Sequence, residues 1–285
     1  MPVVTDISSP QPAFVGDKKL RIFIMSPKGG NPALERRYTQ CVDELLNADL
    51  PQFEFIRAAA SGCGVAKARN ILAAYALNMN ADAILAWDRD VSPEGETPEE
   101  RVAAIVRLLS WPSTHGNMAA LYSIKSEDAA RWVMTPLPGE KRQPDGLLRV
   151  AESGTGMKVM WTWQMRQVIK AFPEIAYQSD DVNYGSTMYD LFSMGVVPCG
   201  QFRRWLSEDY YYDFRLKLLC YPIWVDTGVT LLHRGETPDG RIIDFPPYPL
   251  PLPGGDDQQY SGDQGRLTGS LDVDHSGIRS IAYTS

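Results

Sequence analysis

The stretch that decides the fold is ADAILAWDRDV at residues 81–91, an apolar run of strand length that ends in two aspartates with one residue between them. Because side chains alternate between the two faces of a strand, this pattern predicts that Asp88 and Asp90 point the same way and Arg89 the other. Neighbouring carboxylates repel unless a cation lies between them, and a hard divalent ion that also binds diphosphate oxygens would serve. The alternative is a plain turn, since SPEG follows at 92–95.

The composition is that of an ordinary globular protein. The chain has 285 residues, of which 44% are hydrophobic and 22% charged, enough to bury a core as one large domain. It has no run of 18 apolar residues, and no basic segment followed by an apolar one at its start, so we expect a cytoplasmic protein with no membrane partner. The four cysteines form no CxxC pair, so we expect any bound metal to have oxygen ligands.

The negative charge is concentrated at one end of the chain. The net charge of −7 opposes a nucleic-acid partner. Residues 236–285 contain eight acidic and three basic residues and carry −5 of it, which leaves only −2 on the first 235 residues. The body of the chain is therefore compatible with a polyanionic acceptor.

Hydrophobic periodicity predicts alternating strands and helices in the first half of the chain. The predicted strands are 20–25, 53–56 and 81–91, and the predicted helices are 33–46, one that opens at 61–64, and 97–110. Such alternation favours an α/β fold with a parallel sheet and helices on both faces. Ligands of such sheets bind at the carboxyl ends of the strands, where the segments 26–31, 61–64 and 88–90 fall.

The second half changes character. Its predicted elements are strands at 118–124, 223–226 and 229–232, a hairpin of 131–134 with 147–150, and helices at 163–172 and 208–219. Proline and glycine dominate from residue 246 onward. We therefore divide the chain into a flexible N-terminus at 1–19, a folded domain at 20–245 and an extended arm at 246–285.

Two predicted helix starts carry residues that suit a ligand. The sequence SGCG at 61–64 would expose backbone amides toward an anion, with Arg69 against the phosphate or base of a donor. The alternative there is a plain helix start with solvated cations. At the second start, Asp209 would act as general base on an acceptor hydroxyl, although acidic residues such as Glu208 and Asp209 also stabilise a first helical turn.

A histidine and a glycine pair complete the set of candidates. His233 ends the apolar strand 229–232, and a neutral imidazole there would complete an octahedral metal site begun by Asp88 or Asp90. A structural histidine is the alternative. The sequence GTG at 154–156 would let a ligand approach the backbone closely, or would form an ordinary tight turn.

Taken in order, these segments resemble a glycosyltransferase of the GT-A fold, in the broad family-2-like set. The segments that carry the resemblance, over about residues 20–235, are the strand and loop at 22–31, ARN at 68–70, DRD at 88–90, GTG at 154–156, ED at 208–209 and His233. The resemblance implies an α/β fold with a GT-A type, Rossmann-like mixed sheet and helices on both faces, to which the composition adds the extended Pro/Gly-rich C-terminal arm.

The resemblance also implies an activity and a role for each candidate residue. The activity is metal-dependent, inverting transfer of a hexosyl or pentosyl group from a nucleotide-diphosphate sugar, a UDP-sugar by preference, to an acceptor hydroxyl. Asp209 would be the catalytic base. The implied ligands of Mn²⁺ or Mg²⁺ are Asp88, Asp90 and His233. The implied donor-binding residues are Ser26, Pro27, Arg69, Asp88, Arg89 and Arg234. The implied acceptor-side residues are Gly154, Thr155, Gly156 and Glu208.

Some features depart from the family pattern, and two other functions stay open. Members usually have two or more basic or aromatic residues near the histidine, whereas only Arg234 is adjacent here. The compact size and the Pro/Gly-rich tail resemble enzymes encoded by bacterial viruses, some of which modify hydroxymethylated bases in DNA, so a viral DNA acceptor in the host cytoplasm and no obligate protein partner are implied. The alternatives are a sugar-phosphate nucleotidyltransferase, faintly suggested by SPKGG at 26–30, and a non-catalytic viral structural or binding protein.

Overall fold

A computed structural model describes most of the chain up to residue 245. The described residues are 18–27, 31–61, 63–125, 132–179, 187–199, 201–237 and 241–245. They all belong to one compact unit. The predicted C-terminal arm, nearly all of the predicted flexible N-terminus, and the loop residues 28–30 lie outside the described residues.

Five helices and fourteen strands make up the described part of the chain. The helices are α1 Pro32–Asn47, α2 Val65–Asn78, α3 Pro98–Leu109, α4 Thr162–Ala171 and α5 Glu208–Leu218. The strands are β1 Leu20–Pro27, β2 Phe53–Ala60, β3 Ala83–Trp87, β4 Val91–Pro93, β5 Asn117–Leu121, β6 Met134–Pro136, β7 Leu147–Ser153, β8 Met157–Trp161, β9 Ala176–Gln178, β10 Thr187–Tyr189, β11 Gly195–Cys199, β12 Phe202–Leu206, β13 Ile223–Glu236 and β14 Ile242–Phe245.

Side-chain caps mark the starts of α1 and α3. Asn31 accepts a hydrogen bond from the Ala33 amide at 2.9 Å at the start of α1, and Thr97 with Glu100 forms a capping box at the start of α3. Every helix predicted with both ends is confirmed to within one residue. Within the described residues the longest helix, α1, has 16 residues, and no helix there combines the length and hydropathy of a membrane span.

The main sheet is mixed. Its strand order is β2-β1-β3-β8-β5-β13-β7-β6, with β1 parallel to β2 and β3, and β13 parallel to β5. Strand β8 lies antiparallel between β3 and β5, and β7 is antiparallel to β13. The prediction of an α/β fold is confirmed, the parallel strands expected in the first half are observed for β1, β2 and β3, and the sheet as a whole is mixed. Helical crossovers keep neighbouring strands parallel, and after α3 several strands follow one another without a helix between them.

Helices cover both faces of this sheet, as predicted. Helices α2, α4 and α5 pack into one apolar cluster, and α1 and α3 into the other. The alternation along β3 divides its side chains between the two, with Ile84 and Ala86 on one side and Leu85 and Trp87 on the other. A strand buried on both faces reads as a continuous apolar run, which explains the sequence that precedes the two aspartates.

Candidate active site

A cleft of about 520 Å³ lies beside the carboxyl ends of β1 and β3. Six of the predicted site residues line it: Pro27, Arg69, Asp88, Arg89, Asp90 and Glu208. The other lining residues are Asn31, Leu34, Glu35, Cys63, Val65, Ala68 and Lys125. The sequence therefore predicted the place of the cleft, because ligands of α/β sheets bind at strand ends.

The two aspartates lie in a turn rather than in a strand. Strand β3 ends at Trp87, and the residues 88–90 connect it to β4. The Asp88 amide donates to the Gly156 carbonyl at 2.8 Å, and the Arg234 amide donates to the Asp90 carbonyl at 2.6 Å. Strand alternation therefore does not explain the orientation of the two aspartates. Their carboxylates nevertheless line one cleft, as predicted, because these backbone bonds fix the turn.

Two contacts hold the Arg89 side chain at the cleft. Its Nη1 donates to Glu35 at 2.7 Å, and its guanidinium lies over the Tyr38 ring at 5.4 Å from the centroid. Arg89 lines the same cleft as Asp88 and Asp90, so the predicted placement of Arg89 on the opposite face is wrong. Nη1 is paired with Glu35, whereas the buried Nε has no hydrogen-bond partner among the described residues.

Arg69 connects three elements at the base of the cleft. Only 3% of it is exposed, its Nη2 donates to Asp88 at 2.7 Å, and its Nη1 donates to Glu208. Burial alone would lower the pKa of Arg69, but the carboxylates of Asp88 and Glu208 outweigh it and raise the pKa, so the side chain stays charged. Arg69 therefore ties α2 to the end of β3 and to the start of α5.

Asp88 and Asp90 have opposite electrostatic environments. Burial raises the pKa of Asp88, and the nearby charges of Asp90 and Asp209 add to this, against the opposing effect of Arg69. At Asp90 burial acts the same way, but bonds from His233 and Lys125 outweigh it and lower the pKa to about 2. Of these two aspartates, Asp90 is thus the more firmly ionised.

His233 presents one ring nitrogen to Asp90. Its Nδ1 lies 2.7 Å from the carbonyl oxygen of Ser123, which can only accept, so Nδ1 carries the proton. Nε2 lies 3.6 Å from Asp90 Oδ2, where it pairs with the carboxylate when the ring is protonated and would offer a lone pair to a metal ion when the ring is neutral. Metal-binding histidines commonly donate their other ring N–H to a backbone carbonyl in this way, which fixes the tautomer and the orientation of the ring.

The three predicted metal ligands do not converge fully. Within the described residues no group of three metal-ligating side chains is close enough to hold an ion. Asp90 and His233 suit a divalent cation in chemistry and orientation, whereas Asp88 is bonded to Arg69. Lys125 Nζ lies 2.5 Å from Asp90 Oδ2, where a metal would compete with it. The residues fit an ion bound by Asp90 and His233, provided that Lys125 releases Asp90.

The two glycines at 154–156 are explained by an aromatic side chain. A Cβ at Gly154 would collide with the Tyr122 hydroxyl, and one at Gly156 would lie 2.5 Å from the ring carbon Cζ of Tyr122. The Tyr122 hydroxyl accepts from the Gly156 amide at 3.0 Å, and its ring meets His233 edge-on with centroids 5.4 Å apart. The close approach predicted for a ligand is thus made by Tyr122, which supports the histidine from behind. Thr155 is buried beside it.

Asp209 lies in the first turn of α5, next to Glu208 at the rim of the cleft. Its Oδ1 accepts from the Ser207 hydroxyl and from the Tyr210 amide, the latter at 2.8 Å. Ser207 is the N-cap residue of α5, but its hydroxyl binds Asp209 instead of capping the helix backbone. Asp209 is half-buried, and its charge contributes to raising the pKa of Asp88, so the two carboxylates lie within electrostatic reach of each other.

Two predicted donor-binding residues have partners outside the cleft lining. Ser26 is fully buried, and its hydroxyl is bonded to that of Tyr38 on α1. The Arg234 guanidinium pairs with Asp244 at 2.8 and 3.2 Å, because the two residues lie opposite each other on β13 and β14. Arg234 serves the site through its backbone amide, which holds the turn at Asp90.

A buried ion pair fixes α5 beneath the site, and it was not predicted. Lys158 on β8 and Asp213 on α5 are both fully buried, with Nζ and Oδ1 2.5 Å apart. Asp213 also accepts from the Ser153 amide at 2.8 Å. Burial raises the pKa of Asp213, against the opposing effect of Lys158. The pair positions the helix that begins with Glu208 and Asp209.

Removal of Asp213 should destabilise the whole domain. In Asp213→Ala the Lys158 ammonium would be buried without its partner, and we expect a loss of about 3–5 kcal/mol in the free energy of unfolding. Chemical denaturation measures this loss. The double variant with Lys158→Met removes both charges and should recover part of the stability. A single variant within 1 kcal/mol of the wild type would show that the pair does not hold α5.

Lys125, Glu35 and Tyr122 were missed by the sequence analysis. Tyr122 lies within the predicted strand 118–124 and Lys125 directly follows it, so the strand-end rule that located the aspartates could have flagged this lysine. Nothing local marks Glu35, which looks like an ordinary acidic residue in the first turn of α1.

No protein-family model and no curated protein matches the chain. A similar solved structure is that of A197 from STIV, with 17% sequence identity and a TM-score of 0.41, over 82% of this chain and 97% of that chain. A TM-score at this level is too low to support a shared fold or function.

Proposed function

We propose that the chain is a metal-dependent glycosyltransferase of the GT-A type, which moves a sugar from a nucleotide-diphosphate sugar to an acceptor hydroxyl with inversion. The observation that carries the proposal is the cleft in which Asp88 and Asp90 meet Arg69 and Lys125, with His233 beside Asp90. It combines carboxylates for a divalent ion with cations for a diphosphate, at the strand ends where α/β sheets bind ligands.

The residues divide the work of transfer among them. Asp90 and His233 would hold Mn²⁺ or Mg²⁺, which offsets charge on the leaving diphosphate when bound. Lys125 is about one-third exposed, so it can leave Asp90 and bind a phosphate oxygen. Arg69 keeps Asp88 and Glu208 at fixed positions and adds positive charge beneath the diphosphate.

Asp209 is the proposed base. Both hydrogen bonds that the structure gives to Asp209 end on Oδ1, which leaves Oδ2 to take the proton of the acceptor hydroxyl. The acceptor oxygen then bonds to the anomeric carbon, from the face opposite the diphosphate, as the bond between that carbon and the diphosphate oxygen breaks. A hydroxymethylated base in DNA, the acceptor that the resemblance implies, stays a prediction, as does uridine as the donor's base.

A nucleotide panel tests the proposal. Thermal unfolding is measured with uridine, guanosine, adenosine and cytidine diphosphates, each with and without Mn²⁺. At a ligand concentration of about 100 Kd, binding should add about 2.7 kcal/mol and raise Tm by roughly 5–10 °C for one nucleotide, only in the presence of the metal. The corresponding monophosphate should give a smaller shift, because it lacks one of the phosphates that the cations would bind.

The same panel separates the two alternatives. A shift with a nucleoside triphosphate and a sugar phosphate, together with release of pyrophosphate, would favour a nucleotidyltransferase. No shift in Tm with any nucleotide would favour a non-catalytic protein. In that case the turn at Asp88–Asp90 and the first helical turn with Glu208 and Asp209 would be local structure only.

A further inference from the structure

A groove of about 990 Å³ lies between helices α1 and α3. Its lining residues recur at a spacing of four along each helix, so each set lies on one helix face. They include Thr39, Asp43 and Asn47 on α1 and Pro98, Val102 and Val106 on α3. The groove takes the C-terminal half of α1, whereas the cleft of the candidate active site takes the first turn of that helix, so the two sites are distinct.

The floor of the groove is apolar. Leu50, Val102 and Val106 pack against the apolar cluster beneath them and are only half-buried. Ala103 also lines the groove and is exposed, so its small side chain leaves room between the two helices. Because removal of apolar surface from water is favourable, the floor suits a partner that presents apolar side chains.

All the charged side chains in the lining are acidic, and we call them the rim: Asp43, Glu44 and Glu99. Glu44 pairs with Arg101 at 2.5 Å. Asp43 pairs with Arg57 at 3.5 Å, an exposed and therefore weak contact. Glu99 is exposed and makes no ion pair with any described residue. The rim therefore offers carboxylates to a cationic partner and no cation to an anionic one.

The C-terminal end of α1 adds to this negative potential. The helix ends at Asn47, which lines the groove, and its last turn contains no basic residue to offset the negative end of the helix dipole. Asp49 follows directly, is exposed, and makes no ion pair with any described residue. A cation at this end of the groove would therefore be stabilised.

We propose that the groove binds a cationic amphipathic helix of another protein. The apolar side chains of that helix would lie on the floor, and its lysines or arginines would meet the rim. Two neighbouring helices with an apolar groove between them fit a third helix in this way. The lining extends from Thr39 to Asn47 and from Pro98 to Val106, about 12 Å along each helix, so about two turns of the partner would fill it.

The same observations disfavour other occupants. A nucleic acid or an anionic membrane would meet the acidic rim. The parts of this chain at its two ends are themselves acidic, since residues 1–17 contain two acidic and no basic residues and residues 246–285 contain five acidic and two basic residues. A second copy that met the groove with its own groove would place like charges opposite each other.

Fluorescence anisotropy with the full chain and a labelled peptide tests the proposal. The probe is a synthetic amphipathic helix of leucine and lysine. It is compared with a peptide of the same composition in scrambled order and with the corresponding helix of leucine and glutamate. The leucine–lysine helix should bind at least about tenfold more tightly than either of the others, because only it matches both the floor and the rim. Its binding should weaken as salt is added.

Two variants separate the floor from the rim. Ala103→Trp fills the groove from an exposed position on α3, and Glu99→Lys reverses one charge of the rim. Each should weaken binding of the leucine–lysine helix at least about fivefold. The matched controls are Ala176→Trp and Glu174→Lys, at exposed positions that do not line the groove, and both should bind like the wild type. Thermal unfolding checks that every variant is folded.

Three results would overturn the proposal. Equal binding of the amphipathic and the scrambled peptide would show that charge alone is recognised, and unchanged binding by both groove variants would place the peptide elsewhere. Tighter binding of the leucine–glutamate helix would assign the groove to an anionic partner. The inference does not depend on the proposed transferase activity. The nucleotide-induced shift in Tm should be the same in all these variants, so failure here is separate from failure of the transferase proposal.

Discussion

Replacement of Asp209 by asparagine should lower the rate of sugar transfer by roughly 10²–10⁴-fold while nucleotide binding is kept. Asparagine preserves the shape of the side chain and can still accept from Ser207 and the Tyr210 amide, so the start of α5 should stay folded. What is lost is the carboxylate oxygen that takes the proton. The measurement pairs a transfer assay with the nucleotide-induced shift in Tm.

The matched control is Asp244→Asn. Asp244 is also a partly exposed aspartate with a close partner, but it pairs with Arg234 on β13 and does not line the cleft. Its replacement should leave the transfer rate within about twofold of the wild type. If Asp209→Asn transferred sugar at the normal rate, the base would lie elsewhere or the reaction would proceed with retention, and the assignment of Asp209 would be wrong.

The fold was predictable where local patterns and packing agree. The strand before the aspartates is apolar at every position because both its faces are buried, and the capping residues Asn31 and Thr97 mark the starts of α1 and α3. The sheet direction was less predictable. The rule that links strand–helix alternation to parallel strands ceases to apply where strands follow one another directly, and no local signal showed that β8 would enter between β3 and β5.

The sequence predicted where the candidate site lies, but only some of the contacts between its residues. Strand ends located Asp88, Asp90 and Arg69, but the partners of Arg69 are 19 and 139 residues away along the chain. Ser26 was misplaced because a strand-end serine can face either a cleft or a helix, and here it faces Tyr38. Long-range pairings of this kind depend on tertiary packing, which the periodicity of one sequence does not record.

Replacement of Asp90 by alanine should abolish the metal-dependent part of nucleotide binding and lower transfer by roughly 10²-fold or more, since a bound metal supplies several kcal/mol of transition-state stabilisation. Asp90 is the carboxylate whose partners His233 and Lys125 hold its pKa at about 2, so it is ionised and able to bind a cation at any ordinary assay pH. The measurement is the shift in Tm with nucleotide, with and without Mn²⁺, followed by the transfer assay.

Lys125→Met is the variant that distinguishes a metal ligand from a structural ion pair at Asp90. Lys125 and a metal ion would compete for the same carboxylate oxygen, so removal of the ammonium should strengthen the binding of Mn²⁺ alone, whereas Asp90→Ala should weaken it. Opposite changes in the two variants identify Asp90 as a metal ligand. Full activity in Asp90→Ala, or equal Mn²⁺ binding in both variants, would leave the Asp90–Lys125 pair as a structural ion pair and remove the metal from the proposed mechanism.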